Sequence, residues 1–301
     1  MKLTILGCHS ATPRTSGYTT SQVIQTRGHL FLIDCGEGTQ MQLRRNKVKF
    51  NQIKHIFISH LHGDHFFGLI GLISTFRLLK RENDLHIYGP KGIKEIITLQ
   101  LKLSKSWTNF NLYFYELTSN RSECILEDDK IKVFTIPLNH RIYTNGFLVK
   151  EKAYDRKLLI EKAIKNNIDI AYYRKLKQGH DVYNLHKKLI KNSDITTVGN
   201  IAKTYAYCSD TAYDESIIPI IKNADVLYHE STFLEDNISL CEITKHSTAK
   251  QAANIAKAAS VGLLILGHFS SRYKNLNNFK LEAKSIFSSV DIAEDGKIFD
   301  F

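Results

Sequence analysis

Six residues, His60-Leu61-His62-Gly63-Asp64-His65, constrain this chain more than any others. They place four side chains able to ligate a metal within one short run, and imidazole nitrogen and carboxylate oxygen are donors that zinc accepts. Before them, Ile56-Phe57-Ile58-Ser59 reads as a buried strand. After them, Phe66-Phe67-Gly68-Leu69-Ile70-Gly71-Leu72-Ile73 reads as the start of a buried helix. The ligand-type residues therefore fall on a strand-to-helix turn, where a helix N-terminus also favours anions. A lone histidine there would more often be a packing residue; four together point to a metal centre.

Three further residues occupy similar positions. His140 follows the apolar run Ile131 to Ile136, Asp210 follows Thr204 to Ser209, and His268 follows Leu263-Leu264-Ile265-Leu266-Gly267. Each sits at the end of an expected strand, where loops hold functional groups on a rigid scaffold. Seven ligand-type residues exceed the four of a closed structural zinc site, so the count predicts two adjacent metals. Asp210 is the natural bridge, since one carboxylate can give an oxygen to each.

Elsewhere short strands alternate with helices. Leu30–Ile33, Leu85–Tyr88, Val133–Ile136 and Phe147–Val149 read as strands, while Gly92–Leu103, Asp214–Ile221 and Thr248–Ala259 read as helices. Ser247 is the expected N-cap of the last. The pattern alone supports an α/β fold.

With 301 residues and 43% hydrophobic content, the chain can bury the core of one large domain or two small ones. No apolar run approaches the ~18 residues of a membrane span, and Leu3–Leu6 is too short for a secretory core. Five cysteines without a C-x-x-C pair argue against a disulfide framework. The expectation is a cytoplasmic protein with no membrane partner.

Net charge is +11, and it is uneven: residues 150–191 hold twelve Lys or Arg against five Asp or Glu, a net of +7. The stretch reads as helical around Arg156–Lys165, then as irregular and polar through Tyr172-Tyr173-Arg174-Lys175-Leu176-Lys177-Gln178-Gly179-His180. Charge runs are usually solvated surface. Basic residues interleaved with tyrosines also suit a phosphate backbone, and a metal site calls for an anionic substrate, so nucleic-acid binding is the stronger reading.

In its motifs the chain resembles the metallo-β-lactamase superfamily and, within it, the short form of the transfer RNA 3′-processing endonucleases, the ribonuclease Z family. The resemblance rests on Asp34-Cys35-Gly36-Glu37-Gly38-Thr39-Gln40, Ser59 through His65 with Gly68-Leu69, Asn139-His140 and Ser209-Asp210-Thr211. It continues through His229-Glu230-Ser231-Thr232-Phe233, His246-Ser247-Thr248-Ala249 and Gly267-His268-Phe269-Ser270-Ser271-Arg272-Tyr273. Of the family's Pro-x-Lys-x-Arg-Asn loop, the stretch Pro13-Arg14-Thr15-Ser16-Gly17-Tyr18 keeps only the proline.

The resemblance implies an αββα sandwich over residues 1–301, with 150–191 inserted as a protruding basic arm. It implies two Zn2+ per chain, one held by His60, His62 and His140, the other by Asp64, His65 and His268, with Asp210 shared. Asp64 would double as general base, His246 would protonate the departing oxygen, and Glu230 would orient His246. Asp34 would support the ligands from behind. Ser270, Arg272 and Tyr273 would grip the reacting strand, and Arg174, Lys175 and Lys177 would contact precursor transfer RNA from the arm of a homodimer. Two other readings are a small-molecule phosphodiesterase or other ester hydrolase, which needs no basic arm, and a non-catalytic nucleic-acid-binding protein, which would not need an intact ligand set.

Overall fold

Runs of β-branched and aromatic residues build two large sheets, and in the central strands both faces are buried. The computed structural model describes residues 1–15 and 17–301, and of Phe50 the backbone alone; Ser16, inside the divergent Pro13–Tyr18 stretch, lies outside the described residues. The chain divides into two compact units, residues 1–150 with 203–301, and residues 151–202.

In the larger unit, one seven-stranded sheet runs in the order Ile298–Asp300, Lys2–Gly7, Ser21–Thr26, His29–Ile33, Ile53–Phe57, Leu85–Pro90, Leu112–Leu117. The second runs Val290–Ile292, Leu263–Gly267, Val226–Glu230, Thr204–Cys208, Thr144–Glu151, Ile131–Leu138, Cys124–Glu127. Their inner faces share a core in which Phe31, Phe57 and Tyr88 meet Phe147, Tyr205 and Tyr207. Phe57 packs on Phe147 with ring centroids 5.3 Å apart, and its truncation to Ala would cost about 3–5 kcal/mol as a core cavity. The outer face of the first sheet is covered by the helices Gly68–Leu78 and Ile93–Leu103, through Leu69, Leu72, Ile73, Phe76, Ile97 and Leu101. The outer face of the second meets the helix Ala249–Ala258, whose Ala249, Ala252, Ala253 and Ala256 allow close approach, and Phe279 and Ala283 of Asn277–Lys284. This is the αββα metallo-β-lactamase sandwich.

Parallel pairing positions the site. His29–Ile33, Ile53–Phe57 and Leu85–Pro90 run parallel, as do Thr204–Cys208, Val226–Glu230 and Leu263–Gly267. Parallel neighbours end at the same side of a sheet, where ligands of α/β folds collect.

Two local expectations are corrected. Thr248, not Ser247, caps the helix Ala249–Ala258: its hydroxyl accepts from Gln251 N at 3.2 Å while Gln251 Oε1 accepts from Thr248 N at 2.9 Å, a reciprocal capping box. Ser247 is buried and donates instead to Thr211 O at 2.7 Å, because a hydroxyl inside must find an acceptor. The Asp214–Ile221 segment is a 3-10 turn, Glu215–Ile217, capped by Asp214 and followed by one short helix, Ile218–Ile221.

The smaller unit contains two two-stranded pairings, Lys157–Leu158 with Thr196–Thr197 and Val182–Tyr183 with Leu189–Ile190. The segment expected to be irregular holds a helix, Tyr173–Lys177, whose Leu176 is buried while Arg174, Lys175 and Lys177 are exposed. Ala163, Ile168, Leu176, Val182, Ile190 and Ile195 form a core of this unit's own. These side chains come from six separate local segments, so no periodicity announces them.

Candidate metal centre

The site is assembled from strand ends whose backbone is bent by need. Asp34, Asp210 and His268 each follow a strand and each take the left-handed conformation, with φ 55°, 59° and 59°. Such conformations cost non-glycine residues free energy and persist where the surroundings dictate them. Glycine permits the loops to nest. A Cβ on Gly36 would lie 2.3 Å from Asp64 O, and one on Gly68 would lie 2.1 Å from Gly36 O. Cys35 N donates to His65 O at 2.7 Å and Gly68 N to Cys35 O at 2.9 Å, so the Asp34–Gly38 turn is bonded directly to the histidine-rich loop.

Asp34 is wholly buried and accepts four hydrogen bonds: Ser59 N at 2.7 Å on Oδ1, and Ser59 Oγ at 2.8 Å, His65 Nδ1 at 2.7 Å and Tyr207 OH at 2.6 Å on Oδ2. This fixes tautomers. Ser59 spends its proton on Asp34, so it accepts from His60 Nδ1 at 3.0 Å. Thr232 Oγ1 donates to Glu230 Oε2 at 2.7 Å, so it accepts from His268 Nδ1 at 2.9 Å. His140 Nδ1 donates to Lys245 O at 2.9 Å. His60, His65, His140 and His268 all turn Nε2 toward one space, with Nδ1 engaged behind.

Those nitrogens converge on one another and on the carboxylates of Asp210 and Asp64. His62 Nδ1 lies 3.0 Å from His60 Nε2 and 3.4 Å from His140 Nε2. Two nitrogens bound to one tetrahedral zinc at 2.0–2.1 Å would lie about 3.3 Å apart. The residues fit a metal: His60, His62, His140 and Asp210 form one group that could hold an ion, and Asp64, His65 and His268 a second. Asp210 turns Oδ1 toward His60 and His140, at 3.8 and 3.9 Å, and Oδ2 toward His65 and His268, at 3.0 and 3.3 Å. Asp64 Oδ2 stands 3.5 Å from both His65 Nε2 and His268 Nε2. Burial alone would keep His65 neutral, yet Asp210, Asp64 and Asp34 drive its basicity far above the usual range. Three carboxylates around one imidazole leave the site in want of positive charge.

Beside this cluster, His246 Nδ1 donates to Glu230 Oε1 at 2.7 Å. Glu230 is wholly buried, and Thr211 N, Thr232 N and Ser247 N also donate to it, at 2.9, 3.0 and 3.1 Å. Burial would raise Glu230, but His246 holds it down at about 2. Burial would lower His246, but Glu230 lifts it to about 9. The pair is a carboxylate and an imidazolium at neutral pH, with a transferable proton on His246 Nε2.

Of the residues expected to grip substrate, Arg272 is exposed, whereas Ser270 is buried. The Tyr273 hydroxyl accepts from Leu234 N at 3.1 Å and from Asn237 Nδ2 at 2.9 Å, which pins the neighbouring loop. Arg174, Lys175 and Lys177 belong to the other unit and are exposed on its helix. Sequence reasoning missed Ser59, Thr232 and Tyr207, which orient the ligand-type residues. Ser59 and Thr232 stood inside the motif runs as hydroxyls next to histidines; Tyr207, on a strand, carried no such signal. Cys35 and Cys208 are buried free thiols whose burial keeps them protonated.

Comparison with known proteins places these features in company. A family model described as Anti-Pycsar protein Apyc1 matches residues 1–255 and so stops short of His268. A curated ribonuclease Z of Cytophaga hutchinsonii is 46% identical over 301 residues, 99% of this chain and 95% of that protein. One of Bacteroides fragilis is 42% identical over 294 residues, 98% of this chain and 97% of its own length. The crystal structure of human tRNase Z, short form, superposes with a TM-score of 0.73 at 26% identity, covering 100% of this chain and 99% of that one.

Proposed function

This chain belongs to the ribonuclease Z family of transfer RNA 3′-processing endoribonucleases, and we propose that it acts through two zinc ions to leave a 3′-hydroxyl on the transfer RNA and a 5′-phosphate on the trailer. The observation that carries the two-ion reading is Asp210, whose oxygens face different imidazole groups. On this reading His60, His62 and His140 would hold one ion, Asp64, His65 and His268 the other, and Asp210 would serve both. Zinc bound there would supply positive charge to phosphoryl oxygens and acidify water near neutral pH.

The chain's own groups move the protons. Asp64, which Ala11 N holds in place at 2.8 Å, is ionised: burial opposes its charge, but His65 and His268 hold its carboxyl far below the usual range. It accepts the proton of the attacking water. His246 donates from Nε2 to the departing 3′ oxygen, and Glu230 keeps it charged and oriented. Arg272 and Ser270, close after His268, take the reacting strand, with Tyr273 beside them. The basic stretch 150–191, with Arg174, Lys175 and Lys177, serves as the arm for the transfer RNA backbone; its +7 charge supports that role. The enzyme works in the cytoplasm as a homodimer, one subunit's arm serving the other's site. No helix among the described residues is long and apolar enough to cross a membrane.

The test is incubation with a trailer-bearing precursor transfer RNA, with and without chelator, followed by mapping of the new ends. Chelator-sensitive production of a 3′-hydroxyl and a 5′-phosphate is expected. A 2′,3′-cyclic phosphate would show that a ribose hydroxyl, not water, attacks, and would sink the mechanism.

A further inference from the structure

We propose that Cys8, His9 and Asp295 form a further metal site, apart from the histidine-rich centre, for a soft or borderline divalent cation such as zinc. The proposal is independent of the ribonuclease reading, because no part of the substrate enters it.

Two segments that the fold brings together supply the three residues. Cys8 and His9 follow the strand Lys2–Gly7, and Asp295 lies in the turn between Val290–Ile292 and Ile298–Asp300. One ligand-type atom from each lies within 4.8 Å of the other two. A thiolate at about 2.3 Å and a carboxylate oxygen at about 2.0 Å on a tetrahedral zinc would stand about 3.5 Å apart. Cys8 Sγ lies 3.6 Å from Asp295 Oδ1. The other carboxylate oxygen, Oδ2, accepts from Tyr18 N at 2.9 Å, which holds the side chain with Oδ1 toward the sulfur.

His9 is the member that lacks a partner. Its Nδ1 is buried and makes no hydrogen bond among the described residues, and an orphaned buried group of this kind calls for a ligand. Burial and the Arg14 charge hold the imidazole down at about 4, so at neutral pH it is in the form that binds metal. Thiolate and imidazole together select zinc-type ions over magnesium or calcium.

Charge sets how firmly the ion is held. Without it, burial and Asp295 keep the Cys8 thiol protonated, and the thiol donates to Ala293 O at 3.4 Å. A divalent ion replaces that proton, which passes to solvent. Thiolate and carboxylate then cancel the two charges of the ion, so the nearby Arg14 faces a neutral group. Because the thiol must first give up its proton, the site is looser than the histidine-rich centre: it fills with metal in excess and empties on dialysis. The cleft of about 630 Å³ that His9 lines is the way in, and it admits water as the fourth ligand. The trio also braces the centre from outside, since Phe269 N donates to Cys8 O and Ser10 N to Phe269 O, each at 3.1 Å, directly after His268.

Cobalt(II) reads this site alone. A cobalt–thiolate bond absorbs in the near ultraviolet by charge transfer, and the imidazole and carboxylate ligands of the histidine-rich centre contain no sulfur. Cobalt titrated into dialysed protein whose centre is already filled with zinc should develop that band and saturate at one ion per chain. Cys8→Ser should abolish it. His9→Phe and Asp295→Asn, which keep the thiol, should weaken the titration about tenfold or more, since even groups behind a ligand contribute about 10–100-fold. Cys124→Ser, which removes the exposed thiol, should leave the band intact. Zinc retained by the centre in every variant reports the fold. No band in the unaltered protein, a band that survives Cys8→Ser or vanishes with Cys124→Ser, or an unchanged titration in both the His9 and Asp295 variants overturns the site.

Discussion

Asp34→Asn isolates what a buried carboxylate does behind a ligating imidazole. The substitution keeps the shape but replaces one oxygen with an NH2 group. Oδ2 takes three donors, from Ser59 Oγ, His65 Nδ1 and Tyr207 OH, and Oδ1 takes one, from Ser59 N. The better orientation keeps oxygen at the three-donor position and leaves Ser59 N facing another donor, a loss of about 1–3 kcal/mol in stability. It also removes the negative charge that makes His65 Nε2 a strong donor to metal. Partners of this kind contribute about 10–100-fold in metal affinity, or roughly 1.4–2.8 kcal/mol. The effect should be lopsided, because Asp34 touches His65 directly but reaches His60 only through Ser59. Competition of the zinc-loaded protein against a chromophoric chelator reads the two ions separately. One dissociation constant should weaken 10–100-fold and the other much less. Tyr207→Phe, which removes one donor but keeps the charge, should shift the same constant only slightly. Equal weakening of both ions, or of neither, would refute the reasoning.

Asp210→Ala should lose both ions, measured by elemental analysis, since it takes an oxygen from each group; retention of one full equivalent contradicts a bridge. His246→Ala should slow cleavage about 10²–10⁴-fold with metal content unchanged, and a variant that loses metal or cleaves normally removes His246 from the proton-donor role. In the metal-free protein, nitrogen NMR should find His246 charged up to about pH 9. Because the folded value is raised, its contribution to stability is complete below the ordinary imidazole range and lost as pH rises through about 9. Glu230→Gln should return it toward the ordinary range, and an unshifted titration in the unaltered protein would contradict the pairing. Replacing residues 150–191 by a Gly-Ser linker should raise KM for precursor transfer RNA, flatten its salt dependence and spare hydrolysis of a small activated phosphodiester; equal effects on both substrates would make the arm structural.

Much of the site was legible because its residues are local in sequence or mark strand ends. His60 to His65 declare themselves by density, and Asp210 and His268 by ending apolar runs. Glu230 and His246 became visible only through their motifs, since a carboxylate on one strand and a histidine sixteen residues later share no spacing rule. Three-dimensional partners were the hidden part. Tyr207 reaches Asp34 because two sheets face each other, which no window along the chain reports. The smaller unit was read as polar because charge dominates its composition. Its core of Ala163, Ile168, Leu176, Val182, Ile190 and Ile195 is one buried side chain per segment, below what periodicity detects. Ser247 and Thr248 were both suitable caps; the burial of one hydroxyl against Thr211 O decided between them.

The left-handed residues at the strand ends have a consequence for how such a protein can change under selection. Asp210 and His268 hold a backbone shape that glycine adopts freely, so glycine there would relieve backbone strain while deleting a side chain that a metal would need. Thermal hardiness and hydrolysis therefore pull in opposite directions at these two positions. Laboratory evolution that rewarded only survival of heat, in a chelating medium, would drift toward glycine and deliver a sturdier sandwich that had forgotten its chemistry.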